Sequence, residues 1–298
     1  MKEIIITGAS GFIGSSLSKH LEAVGFKVLR LSLREKNWKS KISPEAYAII
    51  HLAAISNDER KHSLSDYNSV NIELTKEVYD HFSQSDIKKF LFFSSVKAVT
   101  ESVATGTLSE TDMPRPSTDY GYSKRQAELH VLGNVAERKL VYVLRPCVVH
   151  GPDKKGSISL LFKFVMKGIP YPLGSFHNER SFLSITNLNF LVHQLCDKDI
   201  KSGIYNLSDS ERISTVELVK IISRVLKKSP KIWKVNKKLV IFIAKVFGVL
   251  ELPISTHTLN KLTGNYVVSN SKILQELQVE LPLSLEQGIK QTITSFNK

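Results

Sequence analysis

Cysteine is scarce in this chain: Cys147 and Cys196 are its only two among 298 residues. They form no metal-ligand spacing and no disulfide framework, so free thiols in a reducing compartment are expected and a metal site is not. A bilayer-length apolar run is also missing. The strongly apolar stretch from Leu239 to Leu250 falls short of the about 20 residues that a membrane-spanning helix takes. No N-terminal signal pattern precedes the first strand-like run, which begins at residue 3, so a cytoplasmic setting is expected. Internal repeats, linkers and low-complexity segments are absent. Hydrophobic residues make up 42% and charged residues 23%, the balance of a globular chain with a sizeable core.

Acidic residues are in deficit, with 28 Asp and Glu against 41 Lys and Arg. The imbalance is concentrated, because Lys220 to Lys245 holds nine basic residues and no acidic one. Such a stretch is either a solvated face or a surface that meets an anionic substrate or membrane. The apolar run beside it reads first as a core helix of a cap or as a subunit contact. Weak peripheral membrane contact through 220–245 is the alternative. Nothing interleaves exposed aromatics with base-reading side chains, so nucleic acid is not expected as a partner.

What the chain does have is alternation. Strand-like runs at 3–7, 27–32, 47–53, 88–94 and 140–145 are separated by helical patterns near 12–24, 67–83 and 119–137. Strands alternating with helices imply βαβ units, and hence a doubly wound parallel sheet covered on both faces. Ligands of such sheets bind at the carboxyl ends of the strands, where Gly8, Ser32, Ala53-Ala54, Ser95 and Pro146 fall. Beyond Pro152 the pattern becomes loop-rich. A short helix is expected near 158–168, strands at 181–185 and 203–207, and capped helices opening at Ser214-Thr215-Val216-Glu217 and Ser284-Leu285-Glu286-Gln287. This half reads as a smaller α/β cap over the substrate side. The division is 1–153 for the cofactor-binding domain, rejoined by about 181–207, and 154–298 mainly for the interleaved substrate-binding cap.

Two motifs carry chemistry. Thr7-Gly8-Ala9-Ser10-Gly11-Phe12-Ile13-Gly14 follows the first strand and opens the first helix. Glycines there let the backbone turn tightly and approach a pyrophosphate at a helix N-terminus, where N–H groups and the dipole favour anions. The second motif joins Ser94-Ser95, at the end of a strand, to Tyr120-Gly121-Tyr122-Ser123-Lys124. Tyr and Lys four apart share one helix face, and a Ser at the strand end can meet them across a crevice. With a nicotinamide cofactor on the glycine loop, such a set performs carbonyl/alcohol oxidoreduction: Tyr moves the proton, Lys lowers its pKa and Ser holds the oxygen.

Together with Leu144-Arg145-Pro146, these motifs resemble the extended short-chain dehydrogenase/reductase family, over nearly the whole chain. Within it the chain is similar to the nucleotide-sugar epimerases, dehydratases and 4-ketoreductases, of UDP-glucose 4-epimerase type. The resemblance implies a Rossmann-type fold, a homodimer formed through helices like 67–83 and 119–137, and a nucleotide-sugar substrate, UDP-linked. It implies Ser95, Tyr120 and Lys124 as catalytic residues. Gly8, Ser10, Gly11, Phe12, Ile13, Gly14, Leu52, Ala53, Ala54 and Pro146 would line the cofactor, with Asn71 behind it. Ser95 and Arg180 would meet the substrate, Arg180 at its diphosphate. Read on its own charge and position, Lys97 is a further candidate for contact with an anionic substrate. His150 reads as a loop or packing residue.

Two departures sharpen this. NAD-using relatives carry an acidic residue at the end of the second strand, where this chain has Ser32, with Arg34 two residues on. Removing a carboxylate and adding a guanidinium suits a 2′-phosphate, so NADP(H) is favoured over NAD(H). The 4,6-dehydratases carry an acidic pair after the Ser position, where this chain has Val96-Lys97, so dehydration is disfavoured. Ser94-Ser95-Val96-Lys97 resembles bacterial enzymes that reduce or epimerise C4 of UDP-N-acetylhexosamines for surface polysaccharide. A non-catalytic NADP-binding regulator, or a reductase of a non-nucleotide carbonyl substrate, is the alternative.

Overall fold

The computed structural model describes residues 1–56, 62–103, 105–154, 156–242, 259 and 262–296. Six parallel strands form the main sheet in the order β2-β1-β3-β4-β5-β8. They are β1 (Glu3–Thr7), β2 (Lys27–Leu31), β3 (Ala48–His51), β4 (Lys89–Phe93), β5 (Leu140–Pro146) and β8 (Gly203–Leu207). Alternation along the strands sends successive residues to opposite faces. Ile4, Ile6, Leu91, Tyr142 and Leu144 pack with Leu17 and Leu21 of α1 (Phe12–Ala23) and Leu188 and Leu191 of α6 (Ile185–Asp197). Ile5, Phe90, Phe92, Val141 and Val143 pack on the other face with Val78 and Phe82 of α3 (Leu74–Ser83) and Ala127 and Val131 of α4 (Asp119–Gly133). Each of these side chains contributes about 1.5–3 kcal/mol by leaving water.

The chain leaves β1 for β2 on one side and returns as β3 on the other. This reversal opens a crevice beyond the carboxyl ends of β1 and β3, the place where ligands of such sheets bind. Gly8 forms its floor: it has φ +68°, and a Cβ there would stand 2.6 Å from the Ala53 nitrogen.

The second half is built around a small sheet in which β6 (Val148–His150) pairs parallel with β7 (Arg180–Ser184), and β7 pairs antiparallel with β9 (Arg212–Ile213). A separate core joins α5 (Ser157–Met166), α7 (Thr215–Val225) and α9 (Leu285–Ser295) through Leu161, Phe162, Leu218, Ile222 and Ile289. The helix α8 (Ser271–Leu277) packs by β8 instead.

Several elements depart from the sequence expectation. Ile185 begins α6 rather than ending a strand, because the Ser184 hydroxyl accepts the Asn187 N–H and caps a helix there. The expected helix at 67–83 starts earlier, in α2 (Leu64–Tyr67), and runs through a π-helical turn at Asn68–Glu73. At α7 only half of the expected capping box forms. Ser214 accepts the Glu217 N–H at 3.0 Å, while the Glu217 carboxylate turns outward to Lys220 and Arg224. Both halves form at Ser284 and Gln287. Of the apolar run at 239–250, residues 243–250 lie outside the described residues. Among the described residues, no helix is long and apolar enough to cross a membrane.

Candidate active site

The N-terminus of α1 is built to receive an anion. Its N-cap, Gly11, offers no side-chain acceptor, and its first turn has no acidic residue. By contrast, Thr118, Ser184, Ser214 and Ser284 cap α4, α6, α7 and α9 with their hydroxyls. The first N–H groups of α1 are therefore left to an external acceptor, with the helix dipole behind them. Gly14 closes the turn onto the strand: a Cβ there would lie 2.3 Å from the Gly8 carbonyl oxygen. Ser10 is exposed at the tip, Phe12 packs by Gly151, and Ile13 joins the core edge. These residues fit a dinucleotide pyrophosphate.

Across the crevice, Leu52, Ala53, Ala54 and Ile55 leave β3 half-buried. Asn71 fixes this loop. Its Oδ1 accepts the Ile55 N–H at 2.8 Å, and its Nδ2 donates to the Ile55 carbonyl and to Ser123 Oγ, each at 3.0 Å. Ser123 in turn donates to the Tyr120 carbonyl at 2.8 Å. Asn71 thus ties the loop to the turn of α4 that carries Tyr120. Behind it, buried His51 lies 2.8 Å from Thr7 Oγ1 and 3.0 Å from Thr75 Oγ1. Burial, with Lys124 nearby, lowers its pKa to about 3, so it is a neutral strut.

The end of β4 and the start of α4 come together. Successive residues leave β4 on opposite sides, so Ser94 and Ser95 diverge. Ser94 Oγ donates to the buried carboxylate of Glu128 at 2.5 Å, while Ser95 Oγ accepts the Lys97 N–H at 3.2 Å and caps a 3-10 turn at Val96–Ala98. Lys124 is buried and donates from Nζ to the Phe93 carbonyl at 2.8 Å, two residues before Ser95. One turn earlier, Gly121 lies so close to this segment that a Cβ would stand 2.4 Å from the Lys97 carbonyl oxygen. These two contacts bring Tyr120 and Ser95 to the same edge of the sheet. Tyr120 is half-buried with its ring 6.1 Å from that of Tyr67. Desolvation lowers the Lys124 pKa to about 8, against the opposing pull of Glu128.

Glu128, one turn beyond Lys124, was not among the residues expected at the site. Its carboxylate is bound by Arg145 Nε at 2.7 Å and Nη2 at 2.6 Å, and by Arg125 at 3.1 Å. The pair of Glu128 and Arg145 joins α4 to β5 beneath the candidate site. Its signal was legible: Glu128 shares the face of Lys124 by the same four-residue spacing that links Lys124 to Tyr120. Thr118 and Glu101 also belong here. Thr118 caps α4 through the Gly121 N–H and donates to Glu101 at 2.6 Å, and Glu101 pairs with Lys97 at 3.1 Å.

The remaining expected residues spread along the edge. Pro146 ends β5 in the core, and Arg180 begins β7, half-buried near Cys147 and Tyr266. Desolvation holds the Arg180 pKa below its ordinary value. Ser32 and Arg34 are exposed just past β2, while Arg30 is held by Glu22 at 2.7 Å. His150 is buried 2.8 Å from Thr292 Oγ1 and links the small sheet to α9.

An uncapped helix at a sheet switch point, beside a strand-end Ser and a helical Tyr and Lys, defines an enzyme of the nicotinamide-dependent short-chain dehydrogenase/reductase class. Comparison with known proteins makes this more particular. The sequence model of the NAD dependent epimerase/dehydratase family matches residues 4–208, and the chain belongs to that family. It is 29% identical to a UDP-glucose 4-epimerase of Vibrio cholerae, over 99% of this chain and 95% of that protein. Its fold matches the UDP-N-acetylglucosamine 4-epimerase of Bacillus cereus with a TM-score of 0.79, 17% identity and full coverage of both chains. The UDP-glucuronic acid 4-epimerase of Bacillus cereus, solved in complex with NAD, matches with a TM-score of 0.77 and 19% identity, over 99% of this chain and 98% of that one.

Proposed function

We propose that this chain is a 4-epimerase of a UDP-linked sugar of the N-acetylhexosamine type, acting in surface polysaccharide synthesis. The observation that carries the reading is the anchoring of α4, by Lys124 on the Phe93 carbonyl and Gly121 on the Lys97 carbonyl, which holds the turn of Tyr120 and Lys124 beside Ser95 at the carboxyl end of β4. The full-length similarity to the Vibrio cholerae enzyme supports the choice of C4. A bound nicotinamide supplies the acceptor and donor of hydride. Tyr120 takes the proton of the C4 hydroxyl while Ser95 holds the same oxygen. A free tyrosine, with pKa ~10, is a poor base near neutrality, and an adjacent Lys124 ammonium favours its phenolate. When the 4-keto sugar turns its other face, Tyr120 returns the proton and the configuration at C4 is inverted. Arg180 meets the diphosphate, and Lys97, released from Glu101, meets the sugar side.

In this reading residues 1–153 with 181–207 hold the cofactor, and the rest of 154–298 covers the substrate. The protein dimerises through α4 and the helix at 64–83, for which the half-exposed Tyr122 and Leu129, seven apart on one face of α4, supply apolar contact. The cofactor is NADP(H): Ser32 offers no charge against a 2′-phosphate, and Arg34 is exposed and meets no carboxylate among the described residues. A lower Kd for NADPH than for NADH is expected, and the reverse order assigns NAD(H) instead.

The same two residues favour a second reading, a 4-ketoreductase that consumes NADPH. Incubation with UDP-N-acetylglucosamine and with its 4-keto-6-deoxy derivative separates the two. Interconversion at C4 without net cofactor use supports the epimerase. NADPH consumption with the keto sugar alone supports the reductase, and if neither result is seen both readings are refuted.

A further inference from the structure

We propose that the cap face formed by residues 231–242 docks onto an anionic lipid bilayer. The basic stretch is not uniform once folded. Lys220 and Arg224 are neutralised on α7, both by Glu217 and Arg224 also by Glu286. Lys231, Lys234, Lys237 and Lys238 are all exposed, and none meets a carboxylate among the described residues. Among the described residues, this segment therefore carries four ammonium groups within eight residues that meet no carboxylate, and it contains no acid itself.

Large apolar side chains stand out from the same segment. Trp233 is 60% exposed and Phe242 63%, with Leu239 and Ile241 beside them. Backbone hydrogen bonds tie Lys231 and Trp233 to the cap. Tyr171 donates its N–H to the Lys231 carbonyl at 2.8 Å, Trp233 to the Tyr171 carbonyl at 2.9 Å, and Gly174 to the Trp233 carbonyl at 3.0 Å. Residues 237–242 are helical, opened by Asn236, with Val240 turned toward the cap core while Leu239 and Phe242 face out. The neighbouring end of α5 adds exposed Met166 and Ile169.

Water-exposed Trp and Phe among exposed lysines that meet no described carboxylate match the chemistry of a bilayer interface, where aromatic rings settle at headgroup depth and ammonium groups meet lipid phosphates. This charge decides the occupant. A second copy of this chain would bring the same lysines against themselves, whereas an anionic lipid surface complements them.

The test uses the full-length protein with vesicles of phosphatidylcholine alone or mixed with phosphatidylglycerol. The protein is expected to sediment with the anionic vesicles at low salt, to stay in the supernatant when only neutral vesicles are present, and to be released by high salt. The chain has only two tryptophans, and Trp38 is buried. Emission should therefore shift to the blue on binding through Trp233, and the Trp233→Phe protein should bind without that shift. Combined Lys234→Glu, Lys237→Glu and Lys238→Glu should weaken vesicle binding by more than about tenfold, with thermal stability and epimerase activity on soluble substrate retained. No sedimentation, equal binding to neutral vesicles, or binding unchanged by the lysine reversals overturns the proposal. So does light scattering in which those reversals dissolve a dimer of a protein that ignores vesicles, since the face is then a contact between copies.

Discussion

Burying the Lys124 ammonium beneath α4 lowers its pKa from 10.5 to about 8, because desolvation outweighs the nearby Glu128 carboxylate. Below about pH 8 the folded and unfolded chains both carry the proton, and the buried charge opposes folding in full. As pH rises from about 8 toward 10.5 the folded protein releases the proton first, and stability is gained through that window. Unfolding of the wild type and Lys124→Met, followed across that window, should show the difference moving in favour of the wild type as pH rises. A parallel pair of curves would mean that Lys124 is not desolvated as described. Glu128 and Arg145 behave differently, since each is the other's partner in the core. Arg145→Leu leaves a buried carboxylate with only Ser94 and Arg125, and denaturant titration should show a loss of about 3 kcal/mol or more. The spacing of Tyr120, Lys124 and the strand-end Ser95 was legible in the sequence, and so was the place of Ser95 at the end of β4. The partners that hold them were not, since Glu101 and Arg145 meet Thr118 and Glu128 from distant positions that no local period marks.

The elements divide by how they announce themselves. Buried strands such as β3 and β4 show as continuous apolar runs, and the glycine turn shows because Gly8 needs a left-handed φ and Gly14 a close approach. The short β6 and β9 carry too few residues for any period to register. Helix α6 was hidden because its N-cap, Ser184, sits inside a run that alternates like a strand. Helix α4 was placed by its motif alone, since its buried face includes Ser123, Lys124 and Glu128 and gives little apolar stripe. Thr118 is the residue by which α4 can be tested as an element. Thr118→Ala removes the N-cap and frees Glu101, so a loss of about 1 kcal/mol is expected, with kcat falling more than KM rises because the turn carrying Tyr120 loosens. Gly14→Ala tests α1 likewise. Its Cβ cannot fit 2.3 Å from the Gly8 carbonyl oxygen, so the helix must shift and cofactor affinity, measured by fluorescence titration, should drop.

At the scale of the molecule, the long crossover between β5 and β8 inserts the small sheet and α5 before the chain returns to complete the main sheet. The interleaving joins the small sheet to the main one without a separate linker, and in the proposed function it brings Arg180 to the substrate's diphosphate. UDP alone should therefore stabilise the whole protein, and at about a hundred times its Kd the gain is ~2.7 kcal/mol. Failure of UDP to raise Tm would favour a substrate without a nucleotide. The central claim is that Tyr120 moves the proton at C4 of a UDP-linked sugar, and its most direct test compares wild type with Tyr120→Phe on UDP-N-acetylglucosamine and UDP-glucose. The account predicts C4 interconversion by the wild type and a fall in kcat of about 10²–10⁴ in the variant with UDP binding unchanged. Equal turnover by the two proteins would contradict it.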